Sequence, residues 1–282
     1  MKRIVCILAI LGLIGLCLPA QSQAQSRFTL RLSGGLNFLD GGDINSGGEG
    51  SFGWWDAFAR AFGNTTSGTY SAANLGLNFG GDFIFQFNES MGVGIGAGML
   101  SASKESVDNF TNPSTTGTMT HKISASAVPL RLGFFYFLPV SPSMNVVFNA
   151  GLGYYLGKAN YTLTISGGGT TITINDDASG SGLGFHGGLG LEIALAPNVG
   201  ILVDLSGRFA SIGGFDGTET VDGSTASTGK LYAWDSDAGT YGTFHLIGIN
   251  STLPSGFGIS HAAEAKVSFT GFSLVAGFFV RF

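Results

Sequence analysis

Charge is scarce in this chain: Asp, Glu, Lys and Arg make up 11% of its 282 residues, against about 25% in an ordinary soluble domain. Long apolar runs are scarcer still. Beyond the N-terminus no stretch approaches the roughly 20 residues that a membrane helix requires. Cysteine occurs twice, as Cys6 and Cys17, and both lie in a segment that reads as a cleaved signal. Lys2 and Arg3 form its basic start, Ile4 to Leu18 its apolar stretch, and Ser22-Gln23-Ala24 its small-x-small cleavage site. Leu16 ahead of Cys17 argues against lipoprotein processing. Residues 1–24 are therefore expected to be removed, and a mature chain of 25–282 has neither disulfides nor thiolate metal sites. Without Lys2 and Arg3, 11 basic residues stand against 18 acidic ones, a formal charge of −7. That balance argues against a nucleic-acid partner.

What the chain has in abundance is glycine (47), phenylalanine (24) and alternation. Apolar side chains recur at every second position, which places them on one face of a strand. Eight segments behave so: Phe28–Phe38, Asn74–Phe87, Met91–Met99, Val128–Tyr136, Met144–Tyr154, Leu183–Leu195, Val199–Phe209 and Phe272–Phe282. Each is about as long as the 9 to 11 residues of a tilted membrane strand. The connections Asn88–Ser90, Leu138–Ser143 and Ala196–Asn198 are short. Those at Leu39–Tyr70, Ser101–Thr120, Ala159–Ser181 and Ser211–Ala262 are long, and read as loops. Short turns on one side and long connections on the other describe an all-β, eight-stranded antiparallel transmembrane barrel with long extracellular loops. A soluble β-sandwich also alternates, but it would not carry eight faces this uniformly large and apolar. A hairpin of Lys230–Trp234 with Tyr241–Ile249 leaves a ten-stranded barrel as the structural alternative.

Val128-Pro129-Leu130-Arg131-Leu132, Gly151-Leu-Gly-Tyr-Tyr155, Gly187-Gly-Leu-Gly-Leu-Glu192 and the terminal Gly271-Phe-Ser-Leu-Val-Ala-Gly-Phe-Phe-Val-Arg-Phe282 resemble the OmpA-like and OmpX-like porin-family barrels. The resemblance spans essentially the whole mature chain. It implies an outer-membrane location, contact with outer-membrane lipid, and recognition of the strand ending on Phe282 by the assembly machinery. With the chain ending at Phe282, no peptidoglycan-binding domain is expected to follow.

Within the expected spans Arg31, Asp82, Arg131, Glu192, Asp204, Arg208 and Arg281 all lie on the parity opposite the bulky apolar residues. In so narrow a barrel they are expected to pair as a plug; a gated narrow pore for small or apolar solutes is the alternative. Trp54, Trp55, Phe58 and Phe62 have the spacing of a short amphipathic helix, either a lipophilic portal or cap, or a segment packed against other loops. Asp40, Asp43, Asn45 and Glu49, and likewise Asn175 to Asp177, offer oxygen ligands without a calcium-loop spacing. Gly182-Leu-Gly-Phe-His-Gly187 matches a dinucleotide fingerprint with no helix to follow it. His121, His245 and His261 stand among loop serines, Ser260 included, yet no spacing fixes a nucleophile and base. No catalytic residue, metal or cofactor is expected. The favoured role is structural or surface interaction through the extracellular connections, with the extracellular ligand unknown; channel and outer-leaflet acyl hydrolase are the alternatives.

Overall fold

The computed structural model describes residues 28–282; the expected signal and its cleavage site lie outside the described residues. Along the chain run β1 (Phe28–Gly42), helix α1 (Asp43–Ala61), β2 (Thr65–Gly68), β3 (Leu75–Gln86), β4 (Met91–Asn112), β5 (Thr115–Ser141), β6 (Met144–Gly167) and β7 (Thr170–Ala196). After them come β8 (Val199–Phe209), β9 (Ser211–Ile212), β10 (Asp216–Val221), β11 (Ser224–Asp237), β12 (Thr243–Asn250), β13 (Ile259–Glu264) and β14 (Val267–Arg281). Eight of the strands close a ring, β1-β3-β4-β5-β6-β7-β8-β14, every neighbouring pair antiparallel. Closure leaves no backbone edge to face hydrocarbon. At the bottom of the seam the Phe282 N–H donates to the Phe28 carbonyl at 2.9 Å.

The alternation is what orients each strand. One apolar side chain from every ring strand, Leu36, Leu77, Ile95, Leu132, Leu152, Leu189, Leu205 and Leu274, projects outward with 47% to 63% of its surface exposed. Together they form a belt that suits lipid and would be costly in water. The ring stays eight-stranded, so the ten-stranded alternative falls. The expected Lys230–Trp234/Tyr241–Ile249 hairpin exists as β11 and β12, but with β10 it extends from the upper part of β7, above the ring. This division follows from β7 itself: Phe185 to Ala196 pair with β8, whereas Ile174 to Ser179 pair with β10.

The long connections expected as loops are mostly strand. β5 and β7 each run for 27 residues, about 90 Å of chain at roughly 3.3 Å per residue, far beyond what the bilayer needs. β4 and β5 are joined by Pro113 and Ser114 alone. β6 and β7 are joined by Gly168 and Gly169, both at positive φ, the geometry of a two-residue hairpin turn whose twist matches its strands. The polar alternation of Ser, Thr and Asn in these stretches is strand alternation with a solvated outer face, which composition alone reads as loop.

Helix α1 lies against these tall walls. It is 19 residues long, starting well before the aromatic spacing suggested. Gly47, Gly48, Gly50 and Gly53 disfavour a helix by about 1 kcal/mol each relative to Ala, so packing must hold it. A Cβ on Gly50 would collide with the His245 carbonyl, and one on Gly47 would come within 2.5 Å of Ile247 Cβ. The glycines let helix and β12 backbones approach. Ile44, Ser51, Phe52 and Ala59 are buried on the helix, Phe52 against the rings of Tyr70 and His121. At its ends Asp43 and Arg60 complement the helix dipole, and Gly63, at φ +77°, donates back to the Arg60 carbonyl.

Candidate functional site

Two regions carry polar chemistry inside apolar walls: the lumen within the membrane belt, and the roof above it. In the lumen Glu192, 1% exposed, lies between two guanidinium groups, 3.5 Å from Arg31 Nε and 2.6 Å from Arg281 Nη2. Arg31 also reaches Asp204 at 3.3 Å, and Arg131 pairs with Asp82 at 3.0 Å. Six of the seven expected interior charges thus meet carboxylate against guanidinium. Arg208 does not. Its fork donates to the Phe38 and Phe269 carbonyls, Ser273 Oγ and Asn37 Oδ1. The reason is the bulge in β14: Phe269 and Thr270 drop out of the β1 register between Ser268 and Gly271, leaving the Phe269 carbonyl to turn toward Arg208.

Apolar side chains close the space around this network. Ile84, Phe135, Phe137 and Val147 form a buried cluster, and Phe279 is fully buried under Arg281, whose Cζ stands 4.5 Å from its ring centroid. Farther up, Tyr155, Ile212, Phe215 and Phe269 belong to the large buried cluster that continues into the roof. Between these layers the cavity touching Arg31, Asp82, Arg131, His186, Asp204 and Arg208 holds only about 60 Å³. The inward aromatic residues escaped the sequence reading, which assigned glycine and polar groups to that face. Phe134 to Phe137 are apolar on both parities, so alternation was silent there.

On the roof, the aromatic residues expected to act together do meet. Trp54 stacks on Phe58 with centroids 5.4 Å apart, Trp55 meets Phe58 at 5.6 Å, and Phe58 meets Phe62 at 4.8 Å. Trp55, Phe58 and Phe62, with Phe110, Met119 and Ile165 from the walls, border an apolar cavity of about 200 Å³. A second cavity, of about 170 Å³, lies along the same face of the helix and shares Trp55 with the first.

The histidines lie on strands, where the sequence reading had put them in or beside loops. His121 is buried in β5, where Nδ1 lies 2.9 Å from the Tyr161 hydroxyl, and burial lowers its pKa to about 4. His245 on β12 and His261 on β13 flank Asp235, their Nδ1 atoms 2.8 and 2.9 Å from its two oxygens. Those hydrogen bonds, His245 first, hold the Asp235 carboxyl below the usual range. Asp235 was not foreseen, because only the β11 register makes it the neighbour of both imidazoles. Among the described residues neither imidazole hydrogen-bonds a serine hydroxyl, and no cluster of three metal-binding side chains forms. Asn45 donates to the Asp40 carbonyl and Asn74 Oδ1, and Asp43 accepts from the Lys266 N–H. Gly182 to Gly187 lie within β7, in extended backbone.

A closed antiparallel ring with an apolar outward belt defines a transmembrane β-barrel. The chain belongs to the family described as outer membrane protein beta-barrel domain, which matches residues 8–233, and it is an outer-membrane protein. No curated protein sequence matches it. Among solved structures it is similar to the outer membrane protein OprG from Pseudomonas aeruginosa, at 10% identity and TM-score 0.42 over 92% of this chain and 97% of that one. It is also similar to Ail, the attachment invasion locus protein of Yersinia pestis, at 13% identity and TM-score 0.32 over 90% and 99%. The outer membrane protease OmpT from Escherichia coli gives 11% identity and TM-score 0.36 over 93% and 99%.

Proposed function

We propose that the protein is a non-enzymatic surface-interaction protein whose barrel anchors a rigid extracellular roof and conducts nothing. The observation that carries this reading is the interior: two apolar layers enclose a charge-paired network and leave about 60 Å³ of space. Paired, hydrogen-bonded charges in a confined low-dielectric interior hold one another in place, whereas a conducting lumen needs a continuous hydrated path. The roof supports the other half of the reading. Long strands share hydrogen-bond ladders with the barrel wall and fix an aromatic helix above the membrane, a better platform for recognition than a flexible loop.

Single-channel recording on the purified protein in planar bilayers tests it. The expected result is a silent membrane, for the native protein and for Glu192→Gln alike. Sustained openings whose conductance shifts with Glu192→Gln would defeat the reading in favour of a pore.

A further inference from the structure

The 170 Å³ cavity beside the middle of α1 gathers residues from six elements. Ser51, Trp54 and Trp55 come from the helix, Tyr161 and Leu163 from β6, Ile174 and Asp176 from β7, Glu219 from β10, Trp234 from β11, and Leu246 and Ile247 from β12. All three tryptophans of the chain border it.

Strand register explains the two carboxylates. Tyr161 pairs with Asp176, and Asp176 with Glu219, so one row across three strands reads aromatic, acid, acid. Like charges directly opposite on neighbouring strands are destabilising. Here the cost is compounded, since Asp176 is 4% exposed and its Oδ1 has no hydrogen-bond partner. Among the described residues no Lys, Arg or His makes an ion pair with either carboxylate. A buried carboxylate lacking its cation, facing a second carboxylate and ringed by indoles, is arranged for a positive charge that the chain does not supply. Tryptophan faces attract cations most strongly of the aromatic side chains, and the apolar lining favours an organic body over a hydrated metal ion.

We propose that this cavity binds a small organic cation, an ammonium group carrying an apolar or aromatic body, with its head at Asp176 and Glu219 and its body among Trp54, Trp55, Trp234 and Tyr161. This deepens the surface-interaction reading by giving the roof a ligand class, and it rests on that reading.

Because every tryptophan borders the site, intrinsic fluorescence reports occupancy directly. The full protein is folded in maltoside micelles, which lack ammonium headgroups, and titrated with phenethylammonium and with its neutral counterpart 2-phenylethanol. The expected result is a saturable change with the cation and an affinity at least about tenfold weaker for the alcohol, as befits a hydrogen bond to a charged partner. Asp176→Asn is expected to weaken the cation by about tenfold or more, and Glu219→Gln, on the more open side, by less. Gel mobility of the unheated protein establishes that each variant is folded. If Asp176→Asn does not fold, the ligand pair and Glu219→Gln decide the matter. Equal affinities for cation and alcohol, no response to the cation, or unchanged affinity in a folded Asp176→Asn would overturn the proposal. Conductance separates the two readings: a silent protein that ignores the cation sinks the site alone, and a conducting one that binds it sinks the sealed barrel alone.

Discussion

Replacing Glu192 by Gln keeps its shape and removes one negative charge from the lumen, near the short-turn end of the barrel. The carboxylate is 1% exposed and bridges Arg31 and Arg281. Arg31 keeps Asp204 at 3.3 Å, but Arg281 loses its only carboxylate among the described residues and retains the Phe279 face. Stranding one member of a buried pair costs about 3 to 5 kcal/mol. Because the Arg281 side chain is 19% exposed, the lower end applies, about 3 kcal/mol. Urea unfolding of the protein in lipid vesicles at neutral pH, followed by tryptophan fluorescence and gel mobility, measures the loss. Adding Arg281→Gln removes the stranded cation, so the double variant should recover part of it, a coupling of about 1 to 3 kcal/mol. A loss below about 1 kcal/mol, the scale of an exposed pair, or strictly additive effects would refute a lumen held by charge pairing.

Burial, and after it the Glu219 charge, raises the Asp176 carboxyl to about 7. The folded protein therefore holds this proton more tightly than the unfolded chain, and stability falls as pH rises from about 4 to about 7. Asp176→Asn should be more stable than the native protein above pH 7 by a few kcal/mol, at about 1.4 kcal/mol per unit, and equal to it below about pH 4; a pH-independent difference contradicts this. His121 acts in the opposite sense, its lowered pKa favouring the folded state as pH rises from about 4 to 6.5, but it is common to both proteins and cancels from the comparison. Gly50→Val should dislodge α1 from β12 while leaving the ring intact, seen as rapid proteolysis within 43–64 with unchanged gel mobility; full protection would show that the helix tolerates the added side chain. Phe282→Ser should lower the amount assembled in the outer membrane and leave refolding in detergent near native, and undiminished assembly would deny the terminal aromatic a role as a signal.

The lipid-facing strands were legible because burying one face and solvating the other imposes a period of two, as in Leu75 to Phe87. The roof was harder to read. The hairpin of β11 and β12 kept its alternation and showed through. In α1, however, Trp54 to Phe62 carry helical spacing whereas Asp43 to Gly53 have the composition of a loop, and only the β12 surface makes a helix of them. Asp176 and Glu219 were invisible for another reason. They are 43 residues apart in sequence and become neighbours only through β-strand register, which no local pattern encodes.

The glycines of α1 also impose an order in time. A segment with four glycines cannot hold helical form in isolation, where even good formers shorter than about 12 to 15 residues are marginal. Its contacts with His245 and Ile247 arise only once β11 and β12 have paired, late in the chain. Closure of the ring rests on strand pairing alone, whereas α1 can settle only on a β12 surface that already exists. Two of the three tryptophans that wall the cavity come from α1, so the cavity is complete only once the helix has docked, and a partly folded chain has no such binding surface.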